Sequence, residues 1–219
     1  MINYFELPSS TLVNKVIPKN AFDNYTNTRQ KKLFTDRVHR ITWTNKISSE
    51  TTNLPFKEVQ EIQLFKLELK LKEDINTILE IIDKAIPYPI IFSIYYEDEM
   101  YLSTSTKHPH PTNENNAVID WRFKTDWFKQ GTNDYSINLK TDLDWVIKDF
   151  SLQISGKSAL LKESMATIVQ NEQQITVLKK EIEKLKSKIS RTRQFNEKVE
   201  LNLQLKEKED ELKKYNHLL

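Results

Sequence analysis

The run Glu68-Leu69-Lys70 has the residue types and spacing of one half of a metal-dependent nuclease site. In such a site acidic groups hold Mg2+ and a lysine sits beside the attacked phosphate. The chemistry also needs an acid on the preceding strand. RITWTNKIS (40–48) supplies none, and Asn45 is a poor substitute. Glu58 and Glu61 stand nearer, but on the approach to the strand that carries Glu68. A motif without its structural partners is a weak signal. A solvated strand face bearing Lys66, Glu68, Lys70 and Lys72 accounts for the same residues. His108 and His110 offer two metal ligands where a structural zinc usually takes four. There is no cysteine to complete the set, so HPHPTNENN reads as a polar loop and no metal site is expected. Glu61, Glu68 and Lys70 thus stand as the alternative to the main expectation, a chain with no catalytic residues and no cofactor.

Other groups suit binding better than bond-breaking. Lys179, Lys180, Lys184, Lys186, Lys188, Arg191 and Arg193 make a basic run offset only by Glu181 and Glu183. Such a run can neutralise phosphates and bind DNA without regard to sequence. The plainer alternative is the solubilising exterior of a helix. Just beyond it, RQFNEKVELN (193–202) sets Phe195 and Val199 four residues apart, beside Gln194, Asn196 and Asn202. On a helix that spacing makes one apolar patch, and an aromatic anchor among amides suits a specific contact with a partner. Trp121-Arg122-Phe123-Lys124, followed by Trp127, mixes aromatics with bases as single-strand binders do. Strand alternation explains it more simply, with the aromatics inside and Arg122 and Lys124 outside.

The composition limits what else is possible. The 219 residues carry a net charge of +2, too balanced to point to nucleic acid or membrane by bulk charge. Disulfides, thiolate metal sites and a cysteine nucleophile are excluded by the lack of cysteine. Only two glycines occur, Gly131 and Gly156, so no glycine-rich phosphate loop of Walker or Rossmann type can form. MINYFELPSS lacks the basic and apolar regions of a signal peptide, and no stretch reaches the roughly 20 apolar residues of a membrane span. A cytoplasmic protein is expected.

The elements that would position these groups divide near Gly156. All four Trp and all seven Pro lie before it; Lys, Glu, Leu and Ile dominate after it. The first part (1–155) predicts an α+β domain with a mixed sheet and packed helices, and the second (156–219) a long helical, coiled-coil arm. A helical turn is expected after Pro18 and a helix from Thr28; RITWTNKIS and VQEIQLFKLELKLK (59–72) read as strands, with a loop between them. The longer strand changes its apolar phase near Phe65, which implies a bulge or burial on both faces. Asp74 can cap a helix whose stripe is Ile75, Ile78, Leu79, Ile82 and Ile86. A hairpin around Glu97-Asp98-Glu99, a strand over 117–128 and a helix over 142–154 complete the domain. In the arm, Ile175, Leu178, Ile182, Leu185 and Ile189 keep coiled-coil spacing. Val199 and Leu203 continue that frame, while Leu205, Leu212 and Leu219 suggest another; the arm is either one helix or a hairpin bent near Arg191.

Several short runs, taken in order, resemble a bacterial family known as domain-of-unknown-function family 4391. They are Val16-Ile17-Pro18-Lys19, Trp43 with Lys46-Ile47-Ser48, Glu61-Ile62-Gln63-Leu64-Phe65, Ile82-Asp83-Lys84-Ala85-Ile86-Pro87-Tyr88, Trp127-Phe128, and Gln194-Phe195-Asn196 with Lys198-Val199-Glu200-Leu201-Asn202. Trp145-Val146 departs from a Tyr-Glu-like pair in the family pattern. The resemblance implies company with DNA methyltransferases and superfamily-two helicases in bacterial defence and restriction loci, and no particular reaction. The expected role is a non-catalytic accessory subunit that bridges such protein partners, with self-association through the arm and contact with DNA as further possibilities.

Overall fold

A computed structural model of the chain describes residues 4–110 and 112–217. Contacts divide it into two compact units, Met1–Ser158 and Ala159–Leu219. The first unit is an α+β domain. Its elements are β1 (Leu12–Ile17), α1 (Thr28–Arg37), β2 (Val38–Ser48), α2 (Ser49–Thr52), β3 (Glu61–Leu69), α3 (Asn76–Ala85), β4 (Ile90–Tyr96), β5 (Glu99–His110), β6 (Asn113–Lys124), β7 (Phe128–Lys129) and α4 (Leu143–Ile154). The sheet runs β1-β2-β3-β4-β5-β6, with β7 pairing the start of β5. Among the described residues only β3 and β4 are parallel, joined by the crossover helix α3; every other pair there is antiparallel.

Alternation builds the core. Phe65, Leu67, Phe92, Ile94 and Tyr101 turn to one side of the sheet, where they meet Ile75, Ile78, Leu79 and Ile82 from α3 and Phe22 and Phe34 from the N-terminal helical segments. Phe22 and Phe34 stack with ring centroids 5.6 Å apart. α4 packs against β3, β5 and β6. It buries Leu143, Val146, Ile147, Phe150 and Ile154, and Phe5 sets its ring edge on Phe150 at 5.6 Å. Ile62, Gln63, Leu64 and Phe65 are consecutively buried, so β3 is covered on both sides. The bulge expected near Phe65 lies across from it: Trp43 pairs with Phe65 and Asn45 with Leu64, leaving Thr44 as the extra residue.

Local chemistry sets the ends. The side chain of Asn27 accepts the Gln30 N–H and Gln30 returns the bond, a capping box for α1. Asp74 Oδ1 accepts the Asn76 N–H at 2.8 Å at the start of α3. Asp142 caps α4 by accepting the Trp145 N–H at 2.7 Å. Asp144 then ties the loop before β3 to α4, accepting the N–H groups of Lys57, Glu58 and Val59 at 2.8, 3.1 and 3.2 Å. α4 ends in a Schellman turn: Gly156 N–H reaches Gln153 O at 3.1 Å and Lys157 N–H reaches Leu152 O at 2.8 Å. Gly156 holds φ +70 there, with nothing within 4 Å of where a Cβ would stand. Gly156→Ala is therefore expected to cost about 1 kcal/mol through backbone strain alone, and Gly156→Asn less; urea unfolding of the two variants checks it.

Several expectations need correction. LVNKVI, where no strand is expected, forms one, β1. Residues 49–52, read as loop, form the helical turn α2. HPHPTNENN is not simply loop either: β5 runs to His110 and β6 starts at Asn113, with Pro111 outside the described residues. Of the two forms expected for the arm the hairpin is the one found, broken after Arg191, and a 3-10 turn at Ser158–Lys162 precedes its first helix. No described helix is long and apolar enough to cross a membrane.

Candidate functional site

The nuclease-like residues do not converge. Glu61 and Glu68 stand at opposite ends of β3, seven residues and so roughly 23 Å apart at the strand's rise. No single ion can bridge that span. Glu61 is gripped by Lys46 at 2.6 Å and by Gln63 Nε2 at 2.9 Å. Glu68 pairs with Lys66 at 2.9 Å, and neither is freely solvated: their side chains are 28% and 17% exposed. Lys70 lies past the end of β3 and donates Nζ to Thr35 O at 2.8 Å. Glu58 sits exposed in the preceding loop. Asn45 is buried and donates to Thr11 Oγ1 at 2.9 Å. His108 Nδ1 lies 2.9 Å from Asp120 Oδ1; the side chain of His110 is outside the described residues. Among the described residues no three His, Cys, Asp or Glu are placed to hold a metal ion.

Lys66 Nζ also lies 4.7 Å from the centroid of the Tyr95 ring. Burial, then the charges of Tyr4 and Glu68, push the Tyr95 hydroxyl up to about 12. The fold thus favours the protonated phenol. Its contribution is complete below the ordinary tyrosine value near 10 and is lost as pH climbs to about 12, on the order of 2–3 kcal/mol. Unfolding free energies at pH 9 and pH 11.5 are expected to show this fall, and Tyr95→Phe to reduce it, with buried Tyr101, whose hydroxyl is also pushed up by burial, supplying a further part.

A different polar cluster, missed in the sequence reading, lies inside the domain. Asp83 on α3 is completely buried. Its Oδ1 meets Lys107 Nζ at 3.1 Å and its Oδ2 meets Arg122 Nη2 at 2.6 Å. Lys107 is 2% exposed. It also donates to Asp83 O at 2.9 Å and Ile86 O at 2.6 Å, two carbonyls at the open C-terminal end of α3. Arg122 adds a 3.3 Å contact to Ser103 Oγ and sits 5.9 Å from the Phe92 ring centroid. Burial pulls the Lys107 ammonium below its ordinary value, and the Asp83 charge opposes that pull. Arg122 is therefore not an outward strand residue: the α3 side of β6 is covered, as the buried Phe123 shows for the other side. All three Lys107 donors and both Asp83 oxygens are used internally, so the cluster clamps α3 to β5 and β6. The signal was present at Asp83, which falls four residues after Leu79 and three before Ile86, on the edge of the apolar stripe.

The second unit holds α5 (Met165–Arg191) and α6 (Phe195–His217), after a 3-10 turn at Ser158–Lys162. Ser164 Oγ caps α5 by accepting the Thr167 N–H at 3.0 Å. α5 stops at Arg191; Thr192 turns extended and its Oγ1 donates back to Lys188 O at 3.0 Å. The chain then reverses into an antiparallel hairpin. Ion pairs cross it from Lys188 to Glu197 at 3.7 Å, Lys186 to Glu209 at 3.3 Å and Lys208 to Glu181 at 3.1 Å. Of the expected seam, Ile175, Leu178 and Ile182 are buried and Leu185 and Ile189 half-buried. From α6, Leu201 is buried and Leu205 and Leu212 half-buried, so the second of the two frames faces α5. Leu219 lies outside the described residues.

The residues singled out for partner binding are left over from that packing. Phe195 is 79% exposed, Val199 44% and Leu203 60%. At i, i+4 and i+8 they form one continuous stripe on α6. Gln194, Asn196 and Asn202 are exposed and lie outside the hairpin's seam; Asn202 Nδ2 folds back on Lys198 O at 2.7 Å. Lys179, Lys180, Lys184, Lys186, Lys188, Arg191 and Arg193 are all exposed. Only Lys186 and Lys188 of these make ion pairs among the described residues.

Sheet and hairpin together define a mixed-sheet α+β protein that carries a basic two-helix hairpin with an unburied apolar stripe. The chain belongs to the family described as Domain of unknown function (DUF4391), whose model matches residues 5–212. No curated protein and no solved structure matches it.

Proposed function

We propose that the chain is a non-catalytic accessory subunit of a bacterial anti-phage defence or restriction-modification complex, and that its hairpin docks a helicase or a DNA methyltransferase subunit. The observation that carries this reading is the stripe of Phe195, Val199 and Leu203, exposed while a separate set of α6 residues fills the hairpin's own seam. Single exposed apolar residues are ordinary, whereas a contiguous apolar row on one helix face supports a docking surface. Burying each against a partner contributes roughly 1.5–3 kcal/mol. A cytoplasmic location goes with this role. The separation of Glu61 from Glu68, and the internal use of Lys70, speak for binding rather than nuclease chemistry.

Two measurements test it. The intact chain and a form ending at Ser158, each used to capture partners from the native host, should differ: helicase or methyltransferase subunits stay with the intact chain and are lost from the shorter one. Purified chain incubated with plasmid and Mg2+ or Mn2+ should leave the plasmid intact. Cleavage abolished by Glu68→Ala would overturn the reading in favour of a nuclease.

A further inference from the structure

The turn end of the hairpin carries a shallow, open hollow of about 580 Å3, and its lining is markedly basic. Lys184, Lys188 and Arg191 come from the last two turns of α5, Arg193 from the turn, and Glu197 is the one carboxylate among them. Lys184, Lys188 and Arg191 stand at i, i+4 and i+7, on one face of the helix. Four cations against one acid leave a local charge of +3. Glu197 pairs with Lys188 at 3.7 Å. Lys184, Arg191 and Arg193 have no ion pair among the described residues, although the same hairpin supplies carboxylates to Lys186, Lys208 and Lys213 further along.

We infer that this hollow binds the phosphate backbone of a nucleic acid. Like charges held together repel, and a polyanion relieves that repulsion while releasing its own condensed counterions. The two guanidiniums present paired donors that fit phosphate oxygens, and the cations of α5 recur once per turn, a spacing that a linear polyanion can follow. The folded hairpin thereby sorts the basic run. Arg191, at the end of α5, and Arg193, in the turn, join Lys184 and Lys188 in one site. Lys179 lies twelve residues from Arg191, roughly 18 Å up the helix, and serves the general exterior. No base-reading group is assigned, so the contact is blind to sequence. The site goes beyond the docking role and is separate from it, since the apolar stripe and the cationic hollow share no residue.

The test measures binding of the full chain to a fluorescent single strand and to a duplex of the same length by anisotropy. With three to four phosphates neutralised, affinity should fall about 100-fold between 50 and 200 mM salt. Arg191→Glu with Arg193→Glu should weaken binding at 50 mM salt by at least about 30-fold and flatten the salt dependence. Lys206→Glu with Lys214→Glu, the same change in net charge elsewhere on α6, should cost no more than about threefold if the site is local. Leu203→Ala should leave nucleic-acid affinity unchanged while weakening partner docking, which separates failure of one role from failure of the other. A preference for duplex or single strand identifies the source of the phosphates. Absence of binding at 50 mM salt, equal losses in the two charge-reversed variants, or binding to anionic vesicles without binding to nucleic acid would each overturn the inference. Circular dichroism melts of every variant confirm that the hairpin is intact.

Discussion

Asp83→Ala is expected to destabilise the sheet domain by about 3–5 kcal/mol, because it leaves two buried cations without their shared carboxylate. The geometry explains the size. Asp83 is wholly buried, Lys107 is 2% exposed, and each carboxylate oxygen faces one of the cations. A domain's whole stability is typically about 5–15 kcal/mol, so the loss lowers Tm by roughly 10 °C. The penalty should shrink as pH rises toward 10. Burial already lowers the Lys107 value, and removing Asp83 lowers it further. The unfolded chain then binds more protons than the fold over that window, so stability rises with pH. Asp83→Leu together with Lys107→Met and Arg122→Met should recover part of the loss, since apolar groups of similar volume replace a desolvated ionic cluster, while the carbonyls of residues 83 and 86 lose their Lys107 donor. Urea unfolding of the single and triple variants measures both effects. A single variant as stable as the parent would mean that the clamp contributes nothing.

Phe195→Ala is expected to weaken docking of the protein partner by about 30-fold or more without changing the chain's thermal stability. Truncating a central aromatic in an interface typically costs about 2 kcal/mol or more, whereas a side chain 79% exposed contributes little to its own fold. Leu203→Ala, two turns along the same stripe, should give a smaller loss in the same direction. Leu201→Ala provides the contrast: Leu201 is buried, so its truncation should lower hairpin stability first. Titration of the identified partner, with melting curves for each variant, separates these outcomes. Equal affinity for the parent and Phe195→Ala would remove the stripe from the docking surface.

How far the sequence could be read varied with how local the signal was. The β3-α3-β4 crossover was legible because an uninterrupted apolar stripe follows a strongly β-prone run and ends at Pro87. β1 was not, because Asn14 takes φ +50 at a bulge and most of the strand is exposed, which erases period-two alternation. The extended ends of β5 and β6 were hidden by Pro109 and by two register shifts. Arg122 was misplaced because alternation tells inside from outside only when one face of a sheet is open, and here both are covered. The break after Arg191 has no Gly or Pro to announce it; Thr192 supplies an extended backbone and a hydroxyl that closes the last turn. Two competing apolar frames in α6 were visible as a conflict, and pairing with α5 shows which one turns inward. The basic run was legible as composition, but its division between a hollow and an open exterior required the reversal of the chain.

Cross-linking mass spectrometry on the native assembly bears most directly on the docking role. Lys198 and Lys206 flank the stripe on α6 and are exposed. The docking reading predicts amine cross-links from both to a helicase or methyltransferase subunit, lost when Phe195 and Leu203 are truncated. Cross-links to those subunits from the sheet domain alone, with none from the hairpin, would contradict it.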